Sequence, residues 1–284
     1  MINMIKADCY RISKSIAMYI GIMIMLLMIG TSIYTVQPGS IGMVSVGDVS
    51  TMQTSGIETA FGNITLEEMQ TMSISDVRAI MLKIEGYELD REIIAQNMNL
   101  YYVFIFVAAL AIAADFSNSR IKNTLSSAIS RNKYFASKLI FVTAVCLIIF
   151  FMNTYITYFA NIIFNGSKLS AGIGNVTKAS LMQLPAVLAL ISILNGLAFM
   201  LKKPSLFNTV VIPFVMVFQL LLSLAVKLFS INEKYVDYEL QIMLGKLAYD
   251  PSVSYTVHSY IVCAVIITVF TLLGYLSFRK AEIK

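Results

Sequence analysis

The chain has 284 residues, of which 58% are apolar and 13% are charged, and its formal net charge at pH 7 is +5. Soluble globular chains average about 45–50% apolar and about 25% charged residues. The polar surface is therefore too small to cover a folded globule in water, which excludes a soluble protein and predicts an integral membrane protein. The modest excess of positive charge is typical of the loops on one side of a bilayer and does not indicate nucleic-acid binding.

Residues 1–15 precede the first long apolar run and have a helical pattern of their own. The apolar members of this pattern recur at helical spacing, at Ile5, Cys9, Ile12 and Ile16. Lys6, Arg11 and Lys14 lie off that stripe. The segment is predicted to be an amphipathic helix in the membrane interface, with its basic residues against anionic headgroups.

Long apolar runs predict the membrane-spanning helices. A helix rises about 1.5 Å per residue, so about 20 apolar residues cross about 30 Å of hydrocarbon. Six runs of roughly this length predict an all-α membrane protein with six transmembrane helices, at about residues 16–36, 99–114, 139–164, 179–201, 206–229 and 258–278.

The connection at residues 37–98 is the longest one between predicted spans. It begins rich in Gly, Ser and Thr and then becomes acidic, with apolar residues at helical spacing. This pattern favours two short amphipathic helices against the outer membrane face or a partner subunit. A disordered cap is the alternative.

The connection at residues 115–138 is the most informative stretch, and it reads DFSNSRIKNTLSSAISRNKYFASK. One apolar stripe at helical spacing runs through Ile121, Leu125, Ala128 and Ile129. Arg120, Lys122, Asn123 and Ser126 point elsewhere on the same predicted helix. Such a helix either lies in the lipid interface or inserts into a groove on a cytoplasmic partner, and the residues alone leave both open.

Neutral polar residues occur within the predicted spans. Asn153, Thr157 and Asn161 fall on one face of the third span, and Asn208 and Gln219 lie near one face of the fifth. These five residues either form hydrogen bonds between packed helices or line a translocation route.

Ionisable groups are not found near the middle of the predicted spans. Their absence there counts against a proton- or sodium-coupled carrier. No catalytic group or metal site is predicted, because His258 is the only histidine and the three cysteines show no ligand spacing.

Basic residues predict the orientation of the spans. An even number of spans places both termini on one side of the membrane. The connections on that side are predominantly basic, with Lys6, Arg11, Lys14, Arg120, Lys122, Arg131, Lys133, Lys138, Lys202, Lys203, Arg279, Lys280 and Lys284 against Asp8, Asp115 and Glu282. Both termini are therefore predicted to be cytoplasmic.

The loop at residues 115–138 resembles a known family. Asp115, Phe116, Lys122, Asn123 and Leu125, followed by Ile-Ser-Arg at 129–131 and Ser-Lys at 137–138, are similar to the first intracellular loop of ABC-2 type transporter permeases of low-GC Gram-positive bacteria. The basic N-terminus, the long outer loop and the six-span plan extend the resemblance over nearly the whole chain. Asp115 departs from the Glu that many relatives carry, with the charge unchanged.

The resemblance implies a type V ABC exporter-like permease that crosses the bacterial cytoplasmic membrane several times. It also implies two separate ATPase subunits that hold ATP and Mg²⁺, a second permease copy or paralogue, and no cofactor in this chain. Residues 1–15 would be the interfacial elbow helix, and 117–130 the helix that couples to the ATPase. The coupling residues would be Arg120, Ile121, Lys122, Asn123, Leu125, Ala128, Ile129 and Arg131. The second and fifth spans would line the route, which favours Gln219 as a lining residue.

The expected function is ATP-driven export of an amphipathic or hydrophobic substrate, such as a peptide or a drug-like molecule. The predicted cytoplasmic segments are too short to fold into a nucleotide-hydrolysing domain, so ATP would be hydrolysed by the partner. One alternative is a sensor or immunity subunit that captures a peptide through residues 37–98 without moving it. Another is a carrier or channel that works without ATP.

Overall fold

The computed structural model describes residues 2–35, 88–96, 98–117, 121, 129–214, 228, 233–249 and 251–281. Regular structure in these ranges is entirely helical, which confirms the predicted all-helical class for this part of the chain. The helices are α1 (Ile2–Ser13), α2 (Ile16–Thr35), α3 (Leu89–Gln96), α4 (Met98–Ala108), α5 (Arg131–Asn165), α6 (Ile173–Leu201), α7 (Pro204–Phe214), α8 (Leu240–Ala248) and α9 (Val253–Arg279). A π-helical turn at Ala109–Ala113 and an α-helical turn at Ala114–Ser117 continue α4.

Four segments of the described chain are long and apolar enough to cross a membrane. They lie at Ile16–Ile33, Arg131–Asn165, Ser167–Leu201 and Val253–Arg279. The bent pair α3 and α4 makes a fifth when its 40° bend is counted within one span. The predicted fifth span, 206–229, begins in the short apolar helix α7 and continues at 215–227, outside the described residues. The six-span plan therefore stays a prediction.

Exposed apolar side chains run along the outer faces of the long helices. On α9 they recur about once per turn, at Val253, Val257, Ile261, Val265, Val269, Leu272 and Leu276. The opposite face of the same helix buries Cys263 and Phe278. A continuous exposed apolar surface marks a contact with lipid or with another protein, so these faces are expected to be covered rather than to meet water.

Helices α6 and α9 cross at two glycines. A Cβ added at Gly196 would lie 2.7 Å from the carbonyl oxygen of Phe270. A Cβ added at Gly274 would lie 3.0 Å from the Cα of Gly196. Small residues at such a crossing let two backbones approach closely, which replaces the hydrophobic driving force that is missing between helices in lipid.

Two short helices that lie in predicted connections are buried in the bundle. Helix α3, the last part of the predicted 37–98 loop, buries Leu89, Ile94 and Ala95. Helix α8, which lies between the predicted fifth and sixth spans, buries Met243 and Leu247. Both helices pack against α6, and residues 36–87 lie outside the described residues. The local pattern misses this packing because it depends on hydrogen bonds between residues that are distant in sequence.

Replacing Gly196 with alanine should destabilise the α6–α9 crossing, since the new methyl group meets a backbone oxygen that cannot move alone. We expect a loss of about 1–3 kcal/mol in the free energy of unfolding, as for other overpacked sites. Gly174→Ala is the matched control on the same helix, because a Cβ there meets nothing within 4 Å. Denaturant titration in detergent micelles measures both variants, and equal stability would contradict the crossing.

Candidate functional site

Four charged side chains meet where α4 ends and α5 begins. Asp8 and Arg11 come from α1, Asp115 follows the π-helical turn, and Lys138 lies in the third turn of α5. The Lys138 ammonium lies 2.7 Å from Asp8 and 2.5 Å from Asp115. Arg11 forms an ion pair with Asp115 and a second one, at 3.0 Å, with Asp8. We call these four residues the charge cluster.

The charge cluster is electrically balanced and almost closed to solvent. Lys138 is 2% exposed, Asp115 4% and Asp8 6%. The Tyr134 hydroxyl donates a further hydrogen bond of 2.8 Å to Asp115. Removing charges from water costs several kcal/mol per ion, so each member depends on the others for its burial.

The π-helical turn at Ala109–Ala113 is connected to the same cluster. Arg11 donates a hydrogen bond of 3.1 Å from its Nη2 to the carbonyl oxygen of Ala111. A π-helical turn interrupts the regular backbone hydrogen-bond pattern, and it is found often at functional sites. Arg11 therefore holds both the backbone of this turn and the carboxylate that follows it.

The position of Arg11 corrects the sequence prediction. Arg11 was expected at the lipid headgroups, but it points into the protein and is paired with two carboxylates. The predicted apolar stripe of α1 is only partly buried in the protein. Ile12 is buried, whereas Cys9 is exposed and Ile16 is 75% exposed. Pairing of buried charges, rather than the apolar stripe, fixes the rotation of α1 about its axis.

An aromatic layer lies beside the charge cluster and joins four helical segments. Phe135 of α5 and Phe199 of α6 have ring centroids 4.7 Å apart, and Phe278 of α9 lies 5.4 Å from Phe199. Phe116, directly after Asp115, contacts both Phe199 and Phe278 edge to face. The helix ends on both sides of residues 118–128 are therefore held by aromatic packing as well as by ion pairs.

Arg131 connects two helices at the same end of the bundle. It opens α5 and donates hydrogen bonds to the carbonyl oxygens of Arg279, at 2.6 Å, and Ala281, at 3.2 Å. A guanidinium at the C-terminal end of a helix is favoured by the helix dipole. Within the described part, Arg131 thus ties α5 to the end of α9.

The other predicted coupling residues are only partly described. Ile121 is buried and Ile129 is half-buried. The remaining predicted residues lie outside the described residues, namely Arg120, Lys122, Asn123, Leu125 and Ala128. The structure thus describes the two flanks of the predicted coupling helix.

The polar stripe of the third span is buried in protein. Asn153, Thr157 and Asn161 are each fully buried. Asn161 donates a hydrogen bond of 2.7 Å to the carbonyl oxygen of Leu169. This contact joins the end of α5 to the turn that follows it, so the choice between helix packing and lining of a route stays a prediction. Asn208 is half-buried on α7, and Gln219 lies outside the described residues.

Gln183 is a residue that the sequence analysis missed. Its side-chain amide donates to the carbonyl oxygens of Ile94, at 3.2 Å, and Leu244, at 2.7 Å. One fully buried side chain on α6 therefore holds both α3 and α8. The sequence does contain one indication of this role, a single glutamine within an apolar run. An amide at membrane depth needs hydrogen-bond partners inside the protein.

A polar network lies around the ends of α3 and α8. Asp90, fully buried on α3, accepts hydrogen bonds from the Ser170 hydroxyl at 2.6 Å and from the backbone N–H of Ala171 at 3.0 Å. Arg91 donates from Nε to the carbonyl oxygen of Ala248, at 2.7 Å. Glu239 caps the start of α8; burial raises the pKa of its carboxyl, although two backbone N–H bonds act in the opposite direction.

Long helices with exposed apolar faces, and polar groups paired at the helix ends or inside the bundle, define a helical membrane protein. The family profile described as Multidrug efflux system permease Rv1217c, C-terminal domain, matches residues 40–279, which is most of the chain. The chain belongs to this family of efflux permeases. Neither a curated protein nor a solved structure matches it significantly.

Asp115→Asn should strongly destabilise the protein, because it leaves the buried charge cluster with an excess positive charge. The expected loss is about 3–5 kcal/mol in the free energy of unfolding. Asp237→Asn is the control, since Asp237 forms a more exposed ion pair of 2.9 Å with Lys246, worth about 0–1 kcal/mol. If denaturant titration in micelles gives the same small change for both variants, the cluster does not hold this end of the bundle.

Proposed function

We propose that the chain is the transmembrane subunit of an ATP-driven ABC exporter of the ABC-2 type. It moves an amphipathic or hydrophobic substrate out of the cell in complex with separate ATPase subunits. One observation carries the proposal. The charge cluster anchors the residues on both sides of the 117–130 segment, whose sequence resembles a coupling loop. Membership in a multidrug efflux permease family supports it.

An external energy source fits the positions of the charges. Within the described spans, acidic and basic side chains lie toward the helix ends, with Asp115 and Lys138 near one end and Asp90 and Glu92 near the other. Ion-coupled carriers place such groups near the middle of the membrane. ATP and Mg²⁺ would be held by the partner ATPases, and this chain would catalyse no reaction.

In the proposed mechanism, ATP-driven closure of two ATPase subunits pushes the 117–130 segment. Asp115 lies before that segment, and Tyr134 and Lys138 lie after it. Because their side chains are paired with one another and with α1, displacement of the segment shifts α1, α4 and α5 together. A second permease copy or paralogue completes the route between the two subunits.

The proposed arrangement in the cell follows from the basic residues. Six spans, the fifth at 206–229, would place both termini and the 117–130 segment in the cytoplasm of a bacterium. The family description favours drug-like cargo, and an amphipathic peptide is the second candidate.

Leu125→Asp tests the coupling assignment. A carboxylate on the apolar stripe should weaken insertion into an ATPase groove, so we expect at least a tenfold loss of ATP-dependent substrate uptake into inverted vesicles, with ATP hydrolysis retained. Ser126→Asp is the matched control, because it adds the same charge on the face that the stripe leaves out. Equal uptake by wild type and Leu125→Asp would remove the coupling assignment.

A further inference from the structure

A cleft of about 650 Å³ lies between α1 and the facing ends of α4 and α5. Met4, Ala7 and Leu110 form an apolar part of its wall. Tyr10 and Lys14 are among its polar residues, and both are exposed to solvent. The cleft therefore combines an apolar wall with polar and charged residues, a combination that suits an amphipathic lipid molecule.

The charges around the cleft leave one cation without a counter-ion. Arg11 and Lys138 line it and are paired with Asp8 and Asp115, so these four charges cancel. Lys14 also lines the cleft and forms no ion pair within the described part of the chain. The surplus positive charge of the cleft is therefore that of Lys14.

The cleft lies next to the start of the first membrane span. Lys14 and Ser15 separate α1 from α2, and the apolar span begins at Ile16, which is 75% exposed. A residue directly before a span lies at the level of the lipid headgroups. Lys14 is therefore at the depth of phosphate groups, and the apolar wall lies in the same cleft.

We propose that this cleft binds one anionic phospholipid, whose phosphodiester pairs with the Lys14 ammonium. The hydroxyl groups of Tyr10 and Ser15, which also line the cleft, are donors for the remaining phosphate oxygens. The glycerol and the first acyl carbons pack on Met4 and Leu110. Occupancy would then fill the space between α1 and the facing ends of α4 and α5, which makes α1 sensitive to lipid composition. This proposal does not depend on ATP coupling.

Native mass spectrometry of the purified full-length chain tests the site with dioleoylphosphatidylglycerol as the probe and dioleoylphosphatidylcholine as the neutral comparison. Lys14→Gln should weaken binding of the anionic lipid about fivefold, since one basic residue near anionic lipid contributes about 1 kcal/mol. Lys6→Gln is the matched control. Lys6 is exposed on the same helix, forms no ion pair within the described part and does not line the cleft. Its removal should leave binding within twofold.

Filling the cleft gives a second test that changes no charge. Ala7→Phe should displace the retained lipid, whereas Asn3→Phe, exposed on the same helix but outside the cleft, should not. Equal losses for Lys14→Gln and Lys6→Gln, or equal binding of the two lipids, would overturn the proposal. Inorganic phosphate that displaces the anionic lipid at millimolar concentration would show a soluble phosphate as the occupant instead.

Discussion

Two carboxylates and two cations have to be neutralised at one end of this helix bundle, where they are nearly closed to water. Asp115 meets this constraint only when Arg11 and Lys138 both reach it, and Asp8 completes the balance. The requirement sets the rotation of α1, the placement of the π-helical turn and the close approach of α4 to α5. Apolar packing follows from that arrangement, because the aromatic layer around Phe116 and Phe199 forms only when the same helix ends converge.

The lipid environment constrains the rest of the fold. Outer faces are apolar, and buried polar groups find partners inside the protein, as Gln183 does with Leu244 and Asp90 with Ser170. The helices of the bundle are thus connected by the ion pairs of the charge cluster at one end and by hydrogen bonds around α3 and α8 toward the other. In the proposed mechanism, such a bundle suits a permease that moves between discrete arrangements, since a push at the charge cluster would shift several helices together rather than bend one.

The sequence predicted the long apolar helices α2, α5, α6 and α9, whereas it did not predict the interior contacts, for one physical reason. A span such as α5 or α9 is apolar over about 20 residues, and that information is local. The pairing of Arg11 with Asp115 joins residues far apart in the chain, so the pattern around Arg11 placed it wrongly at the headgroups. The burial of helix α3 was not predicted for the same reason, because its contacts, such as the hydrogen bond from Gln183 to Ile94, join residues far apart in the chain. Asp115 and Lys138 were recognised as parts of a loop motif, but no local pattern predicted their contact with α1.

Reactivity of Cys9 tests most directly whether the charge cluster faces the compartment in which an ATPase acts. Cys9 is exposed on α1, whereas Cys146 and Cys263 are buried, so the native chain carries a single reporter of orientation. A membrane-impermeant maleimide should label Cys9 in inverted vesicles and leave it unlabelled in intact cells. The Cys9→Ser variant is the negative control, because it lacks the exposed thiol. Labelling in intact cells would place α1 and the charge cluster outside, and it would contradict the proposed mechanism.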